Sequence, residues 1–293
     1  MMLEITVRAY AGEADLHALI DFLVKARARN PVQRWHVGDL IWRRFYSSLF
    51  DPTQNVQLWL DEQGNMLGFG WFYPPNTADL HSADPALFPQ MIAWAQAWAT
   101  EQTLYIVTLD TNTAEIATLE AQGFAAEPAY GLHLRRRLDR EIPRSILPAG
   151  FTVRPLAGDS EAEQRALLHQ KAFNSKNVTV DGYRNVIRAP LYQPDLDLVV
   201  VAPDGCLVSF CLCWLDSANR VGLFEPVGTH PDYRRLGLAR AVMLEGLRRM
   251  QAYGMESVLI ASGAENEASK ALYAQLGFDV VESHEFVYAR QRA

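Results

Sequence analysis

Leu223-Phe224-Glu225-Pro226-Val227-Gly228-Thr229-His230-Pro231 runs into Asp232-Tyr233-Arg234-Arg235-Leu236-Gly237-Leu238-Ala239-Arg240, and then into a pattern in which Ala241, Leu244, Leu247 and Met250 recur at three-residue steps. The pattern predicts a strand, a turn and a helix that stops at Gly254. Strand, small-residue turn and helix in that order make a candidate phosphate cradle, because successive backbone N–H groups at a helix start converge on an anion. Gly237 leaves room for a ligand and Ala239 keeps bulk low, while Arg234, Arg235 and Arg240 raise the local positive potential. The chain has neither Gly-Xaa-Xaa-Xaa-Xaa-Gly-Lys-Ser/Thr nor Gly-Xaa-Gly-Xaa-Xaa-Gly, so nucleoside triphosphatase and dinucleotide readings lack support.

Downstream lie a short strand, Ser257-Val258-Leu259-Ile260-Ala261, a polar loop, and the helical segment Asn266 to Gly277-Phe278. Ala268, Leu272 and Leu276 predict its buried stripe, with Tyr273 off the stripe's centre and about two turns from Asn266, on nearly the same side. A phenol there can donate a proton to a departing thiolate, since its pKa of ~10 keeps it protonated at neutral pH. Without that context it reads as an amphipathic tyrosine bordering the core.

Together the two motifs resemble, in sequence and in order, the strand and pyrophosphate loop and the Asn…Leu-Tyr…Gly-Phe segment of the GNAT superfamily of acyl-CoA-dependent N-acetyltransferases. The resemblance implies that Val227, Gly228 and Thr229 line the pantetheine arm of acetyl-CoA. It implies also that the loop from Arg234 through Arg235, Leu236, Gly237, Leu238, Ala239 and Arg240 holds the pyrophosphate. By the same carry-over Asn266 touches the pantetheine arm, Tyr273 is the general acid that protonates the coenzyme thiolate, and strand N–H groups polarise the thioester carbonyl. Some relatives carry a base Glu five residues before the Asn, where this chain has Ala261. Glu225, which shares a strand face with Val227 and Thr229, is the substitute expected as base; its plain alternative is a solvated or salt-bridged strand glutamate.

The chain also repeats itself. Ile5-Thr6-Val7-Arg8 with Ala11-Gly12-Glu13 is echoed by Phe151-Thr152-Val153-Arg154 with Ala157-Gly158-Asp159; Gly64 is echoed by Gly205, and Asn112 with Gly123-Phe124 by Asn266 with Gly277-Phe278. Strand-like and helix-period runs alternate in both copies, so the expected fold class is α/β (α+β): two tandem GNAT-like domains, each a mixed central sheet flanked by helices. The Pro- and Gly-bearing stretch 141–150 reads as a linker between a degenerate domain, 1–140, and a catalytic domain, 151–293. In the first copy His81-Ser82-Ala83-Asp84-Pro85-Ala86-Leu87-Phe88-Pro89-Gln90 stands where the second has its Arg- and Gly-bearing loop, and Glu120 is taken to stand at the place of Tyr273. One coenzyme per chain, in the second half, is the expectation.

Composition bounds the rest. With 293 residues, 49% hydrophobic, two packed cores need no staple. Cys206, Cys211 and Cys213 are odd in number and crowded, which argues for reduced thiols rather than a disulfide framework, and no metal is expected. A net charge of −7 without a Lys/Arg tract disfavours nucleic acid and anionic membrane as partners. The start lacks a signal-like apolar stretch and no run is long enough to span a bilayer, so a cytoplasmic location is expected. Arg135-Arg136-Arg137 reads as a solvated strand edge, and His230 as surface structure before a proline. Trp35 to Arg43 mixes aromatic and charged groups suited to an acceptor cleft, although most tryptophans read as core. The resulting reading is acetyl transfer from acetyl-CoA directly to a primary amine of a small molecule. Its alternatives are a non-enzymatic acyl-CoA-binding or sensing module and an acetyltransferase of protein N-termini or lysines.

Overall fold

The first copy folds as β1 (Thr6–Ala9), α1 (Glu13–Arg29), α2 (Val37–Phe45), α3 (Pro52–Asn55), β2 (Val56–Leu60), β3 (Met66–Tyr73), β4 (Thr77–Ser82), α4 (Phe88–Trp98), β5 (Thr103–Leu109), α5 (Thr113–Ala121), β6 (Ala125–Ala126) and β7 (Gly131–Arg137). The second follows as β8 (Thr152–Pro155), α6 (Ala162–Phe173), α7 (Val180–Ile187), β9 (Asp197–Val201), β10 (Leu207–Asp216), β11 (Val221–Thr229), α8 (Leu238–Ala252), β12 (Ser257–Gly263), α9 (Glu267–Gln275) and β13 (Val280–Gln291). These elements come from a computed structural model that describes residues 5–128 and 130–291. All thirteen strands join one mixed sheet with helices on both faces.

The opening repeat has a structural purpose. The guanidinium of Arg8 donates to both oxygens of Asp15, which also accepts the Ala11 N–H at 2.7 Å. Arg154, Glu161 and Ala157 repeat the arrangement, the amide bond being 2.8 Å. In each half an arginine on the first strand thus fixes the start of the first helical segment through a bidentate carboxylate, at the end where negative charge is favoured.

The sheet runs β1-β2-β3-β4-β5-β13-β7-β12-β11-β10-β9-β8, so each half lends its last strand to the other. Strand β13 pairs with β5, Thr103 opposite Gln291 and Leu109 opposite Glu285. Strand β7 pairs with β12, Ser257 opposite Arg137 and Gly263 opposite Gly131. Every partner in one pairing lies 154 positions from its counterpart in the other, so the exchange is reciprocal and in register. The sequence expectation of an edge at Arg135-Arg136-Arg137 is corrected here: β7 lies between β13 and β12, in the middle of the sheet. Only Arg137 stays exposed, beside Asp139; Arg135 pairs with Glu282 and Ser257, and Arg136 is buried against the carbonyls of Leu276 and Glu141. The stretch 141–150 is irregular, with Ile142 and Leu147 against the second half's core and the Pro143 carbonyl accepting from Arg248 at 2.7 Å.

On one face, α1, α2, α6 and α7 share a single apolar core that runs across both halves and includes Trp35, Trp42, Trp71, Tyr183, Phe210 and Trp214. The opposite face carries two separate cores, one under α4 and α5 and one under α8 and α9; Cys211 and Cys213 lie buried in the latter as free thiols. Helix α2 meets the second half at close range. The Nδ1 of His36 accepts the Gly38 N–H, which leaves Nε2 as the donor to the Val221 carbonyl at 3.1 Å. Burial and nearby Arg27 drive the His36 pKa down to about 3, so it does this as a neutral ring. A Cβ on Gly38 would collide with the Trp214 side chain, so only glycine lets the helix lie this close to β10.

Candidate active site

Strands β11 and β12 run parallel and in register only from Val221 opposite Ser257 to Leu223 opposite Leu259, and then diverge. Beyond that point β11 keeps its ladder to β10 and β12 its ladder to β7, so the facing edges of the two strands have no ladder partner. A V-shaped gap flanked by unpaired peptide groups results. At the end of β11 the chain turns through Pro231–Tyr233, and Arg235 and Gly237 both adopt left-handed backbone (φ 64° and 76°) before α8 begins. The first backbone bond into that helix is Ala241 N–H to the Gly237 carbonyl at 3.0 Å. No backbone acceptor takes the amides of Arg235 through Arg240 among the described residues. The side chains of Arg235 and Leu236 are exposed, and Arg234 donates to the Ala172 carbonyl at 2.9 Å. Gly237 faces open space, whereas the Cβ direction of Gly228 is filled by the Phe210 ring, so Gly228 serves packing on the sheet's other face. The Thr229 hydroxyl lies 2.8 Å from that of Ser209. Asn266 caps α9, its side-chain oxygen accepting the Ser269 N–H at 3.1 Å, and His230 caps the turn through Nδ1.

Glu225 stands where β11 leaves β12, at a bulge in the pairing with β10, and its carbonyl accepts from Trp214 Nε1 at 2.7 Å. Burial first, then nearby Asp39, pushes its carboxyl up to about 7 against the pull of Arg43. Tyr273 is 7% exposed and packs against Phe278, 6.0 Å between ring centroids. The expected α9 stripe is therefore rotated: Tyr273 and Leu276 face the core, while Ala268 is exposed. The aromatic ring buries more apolar area than an alanine, and that decides which face turns inward. Burial drives the Tyr273 phenol up to about 12, with the Glu225 carboxylate adding to the rise.

Residues 165–278 match the acetyltransferase (GNAT) family. The match lies within the second half of the chain. Mycothiol acetyltransferase of Saccharomonospora viridis is 27% identical over 156 residues, covering 50% of this chain and 51% of that protein. The mycothiol acetyltransferase of Kineococcus radiotolerans is 32% identical over 136 residues, 45% of this chain and 44% of that one. The chain thus spans about half the length of the curated relatives it matches. The similarity of fold extends further. A tandem GNAT protein from the clavulanic acid biosynthesis pathway covers 98% of both chains with a TM-score of 0.69 at 17% identity. A GCN5-related N-acetyltransferase from Sphaerobacter thermophilus covers 98% of this chain and 95% of its own, with a TM-score of 0.66 at 17% identity.

The first half carries a similar V with different residues around it. Strands β4 and β5 are paired from Thr77 opposite Tyr105 to Asp79 opposite Val107, and the cleft beyond is lined by Arg34, His81, Thr108, Asn112 and Glu115 among others. By sheet register Asp79 is the counterpart of Glu225 in the second half, but it is buried against Arg34. The loop before α4 differs more. Asp84 uses its carboxylate on the Ala86 N–H, and Pro85 and Pro89 have no N–H to offer. The counterpart of Tyr273 is corrected from Glu120 to Leu119: Phe124 N–H bonds the Leu119 carbonyl as Phe278 N–H bonds that of Tyr273, both at 3.0 Å. Leu119 is buried and Glu120 exposed.

Asp39 and Arg43, which act on Glu225 from α2, were legible in the sequence only as members of a mixed aromatic and charged stretch. What brings them to the second half is the contact of Gly38 with Trp214, 176 positions away, and no local signal announces it.

Proposed function

We propose that the chain is an acetyltransferase that moves an acetyl group from acetyl-CoA directly to a primary amine of a small molecule, using the GNAT domain. The observation that carries this reading is the row of unaccepted amides from Arg235 to Arg240, which follow β11 after it has parted from β12. Those amides, with left-handed Gly237 and small Ala239, suit a pyrophosphate, with Arg234 and Asn266 beside the path of the pantetheine arm. Val227, Gly228 and Thr229 supply the strand wall. The names of the mycothiol acetyltransferase relatives favour a small amine over a protein substrate.

Glu225 takes one proton from the acceptor ammonium, leaving the nitrogen lone pair free to attack the thioester carbon. Unpaired N–H groups of the V stabilise the charge that builds on the carbonyl oxygen. As the carbon–sulfur bond breaks, Tyr273 delivers its proton to the leaving sulfur and its phenolate takes up the second proton that the nitrogen sheds as the amide forms, so a neutral amide and a free thiol result while Glu225 returns the first proton to solvent on product release. Holding amine and thioester together contributes much of the acceleration.

Free-thiol release from acetyl-CoA across a broad amine panel tests the reading; stoichiometric coenzyme binding without release would overturn it in favour of a binding or sensing module. Glu225→Gln is expected to lower kcat by about 100-fold with coenzyme affinity unchanged. Because the Glu225 pKa is raised to about 7, the base is protonated below neutrality, and wild-type turnover should rise with pH through about 7. That rising limb should vanish in the variant. Calorimetry with acetyl-CoA should give one equivalent per chain, since the Asp84 carboxylate and two prolines oppose a diphosphate in the first half. Two equal sites would contradict this.

A further inference from the structure

We propose that Arg43, on helix α2 of the first half, binds the acceptor of the GNAT domain, and that this acceptor is an amine whose skeleton also carries a carboxylate. The inference rests on the transferase reading above. Helix α2 reaches the catalytic strand by a short chain of contacts: Gly38 on Trp214, Trp214 on the Glu225 carbonyl, and His36 on the Val221 carbonyl. Asp39 and Arg43, four residues apart, share one face of that helix, and both act electrostatically on Glu225.

An inventory of the charges around Glu225 leaves three of them, Glu225 itself, Asp39 and Arg43, without an oppositely charged partner within 4 Å among the described residues. Arg34 is ion-paired with Asp79 and, at 3.2 Å, with Glu285. His133 holds Glu285 at 2.9 Å; although burial works against its charge, Arg34 and His133 keep that carboxyl ionised, at about 2. Asp39 accepts the His36 N–H at 2.7 Å. The Glu225 carboxylate makes no side-chain hydrogen bond and no ion pair within 4 Å among the described residues, and neither does the Arg43 guanidinium meet a carboxylate. Arg43 donates to the Tyr73 hydroxyl at 2.9 Å and lies over the Trp35 ring at 5.1 Å, with Nε buried and unpartnered.

A half-buried cation with its Nε shut off from water, held by one neutral phenol and an aromatic face, is an incomplete site, because a guanidinium partly removed from water is stabilised by an anion that its fork can grip. Glu225 offers the opposite charge, separated from Arg43 by more than an ion-pair distance. A zwitterion satisfies both at once, its ammonium at Glu225 and its carboxylate at Arg43. Tyr73, whose phenol burial keeps protonated, has its own proton to donate to the same carboxylate.

The test compares glycine, β-alanine and 4-aminobutyrate, each against its own amide, in thiol release from acetyl-CoA. At least one acid should exceed its amide by about 30-fold in kcat/KM, the worth of one charge-assisted contact. Arg43→Gln should abolish the preference for that acid over its amide through KM, any change that reaches both through the Glu225 base being shared equally, and Arg43→Lys should retain part of the preference. Acid and amide turned over alike by wild type would overturn the proposal and leave the transferase standing, and this comparison needs no variant to fold. Calorimetric binding of the acids that is lost in Arg43→Gln, without any thiol release, would support the Arg43 site and remove the transferase. Equal loss for acid and amide in Arg43→Gln, or no binding and no release, would overturn the proposal.

Discussion

Tyr273→Phe should lower kcat by about 100- to 1000-fold while leaving the dissociation constant of acetyl-CoA within about twofold. The ring packs against Phe278 in the core, so the substitution removes one hydroxyl and leaves the packing in place. With the phenol pushed up to about 12, it stays protonated throughout the neutral range, and the deficit should be constant from about pH 6 to 9. Glu225→Gln behaves differently, since its deficit should shrink toward acid, where wild type has lost its base. Thiol release followed across that range separates the two roles. A Tyr273→Phe protein of undiminished turnover would show that the departing sulfur takes its proton from elsewhere.

Asp197→Ala carries the largest expected cost in stability, about 3–5 kcal/mol, or a Tm lowered by roughly 10 °C. Asp197 is fully buried at the start of β9, where it accepts from the Tyr183 hydroxyl at 2.6 Å and the Tyr192 hydroxyl at 3.0 Å and faces Arg165 at 3.7 Å. Burial raises its pKa and Arg165 draws it back down. Arg165 is itself fully buried over the Phe210 ring at 3.5 Å, so deleting the carboxylate strands a guanidinium in an apolar core. Replacing both members, as in Arg165→Met with Asp197→Leu, should recover most of the loss in a urea or thermal melt. Asp197→Ala at wild-type stability would mean that the pair contributes nothing.

Much of this was readable from local pattern. The V, the loop and α8 follow from one strand-turn-helix stretch, and the division into copies follows from the Arg8/Arg154 and Asn112/Asn266 echoes, each of which marks a specific hydrogen bond. What local pattern missed are pairings between distant segments. Arg135-Arg136-Arg137 reads as an edge because an alternating basic strand looks solvated, and only the inserted partner β13 shows why Arg136 is buried. Tyr273 was set off its stripe because a helical wheel weighs spacing, whereas the area of an aromatic ring decided the facing. Arg43 and Asp39 belong to the site through tertiary contact alone.

The reciprocal loan of β7 and β13 has an outcome for how such a chain can change over time. In a beads-on-a-string arrangement, a lobe that has shed its chemistry can be deleted outright. Here deletion of the first lobe would pull the neighbour of β12 out of the second, so neither lobe can be lost without opening the sheet of the other. Two polypeptides corresponding to the lobes would be obliged to embrace before either closed its sheet, which is the behaviour of an intertwined homodimer whose subunits have been spliced end to end.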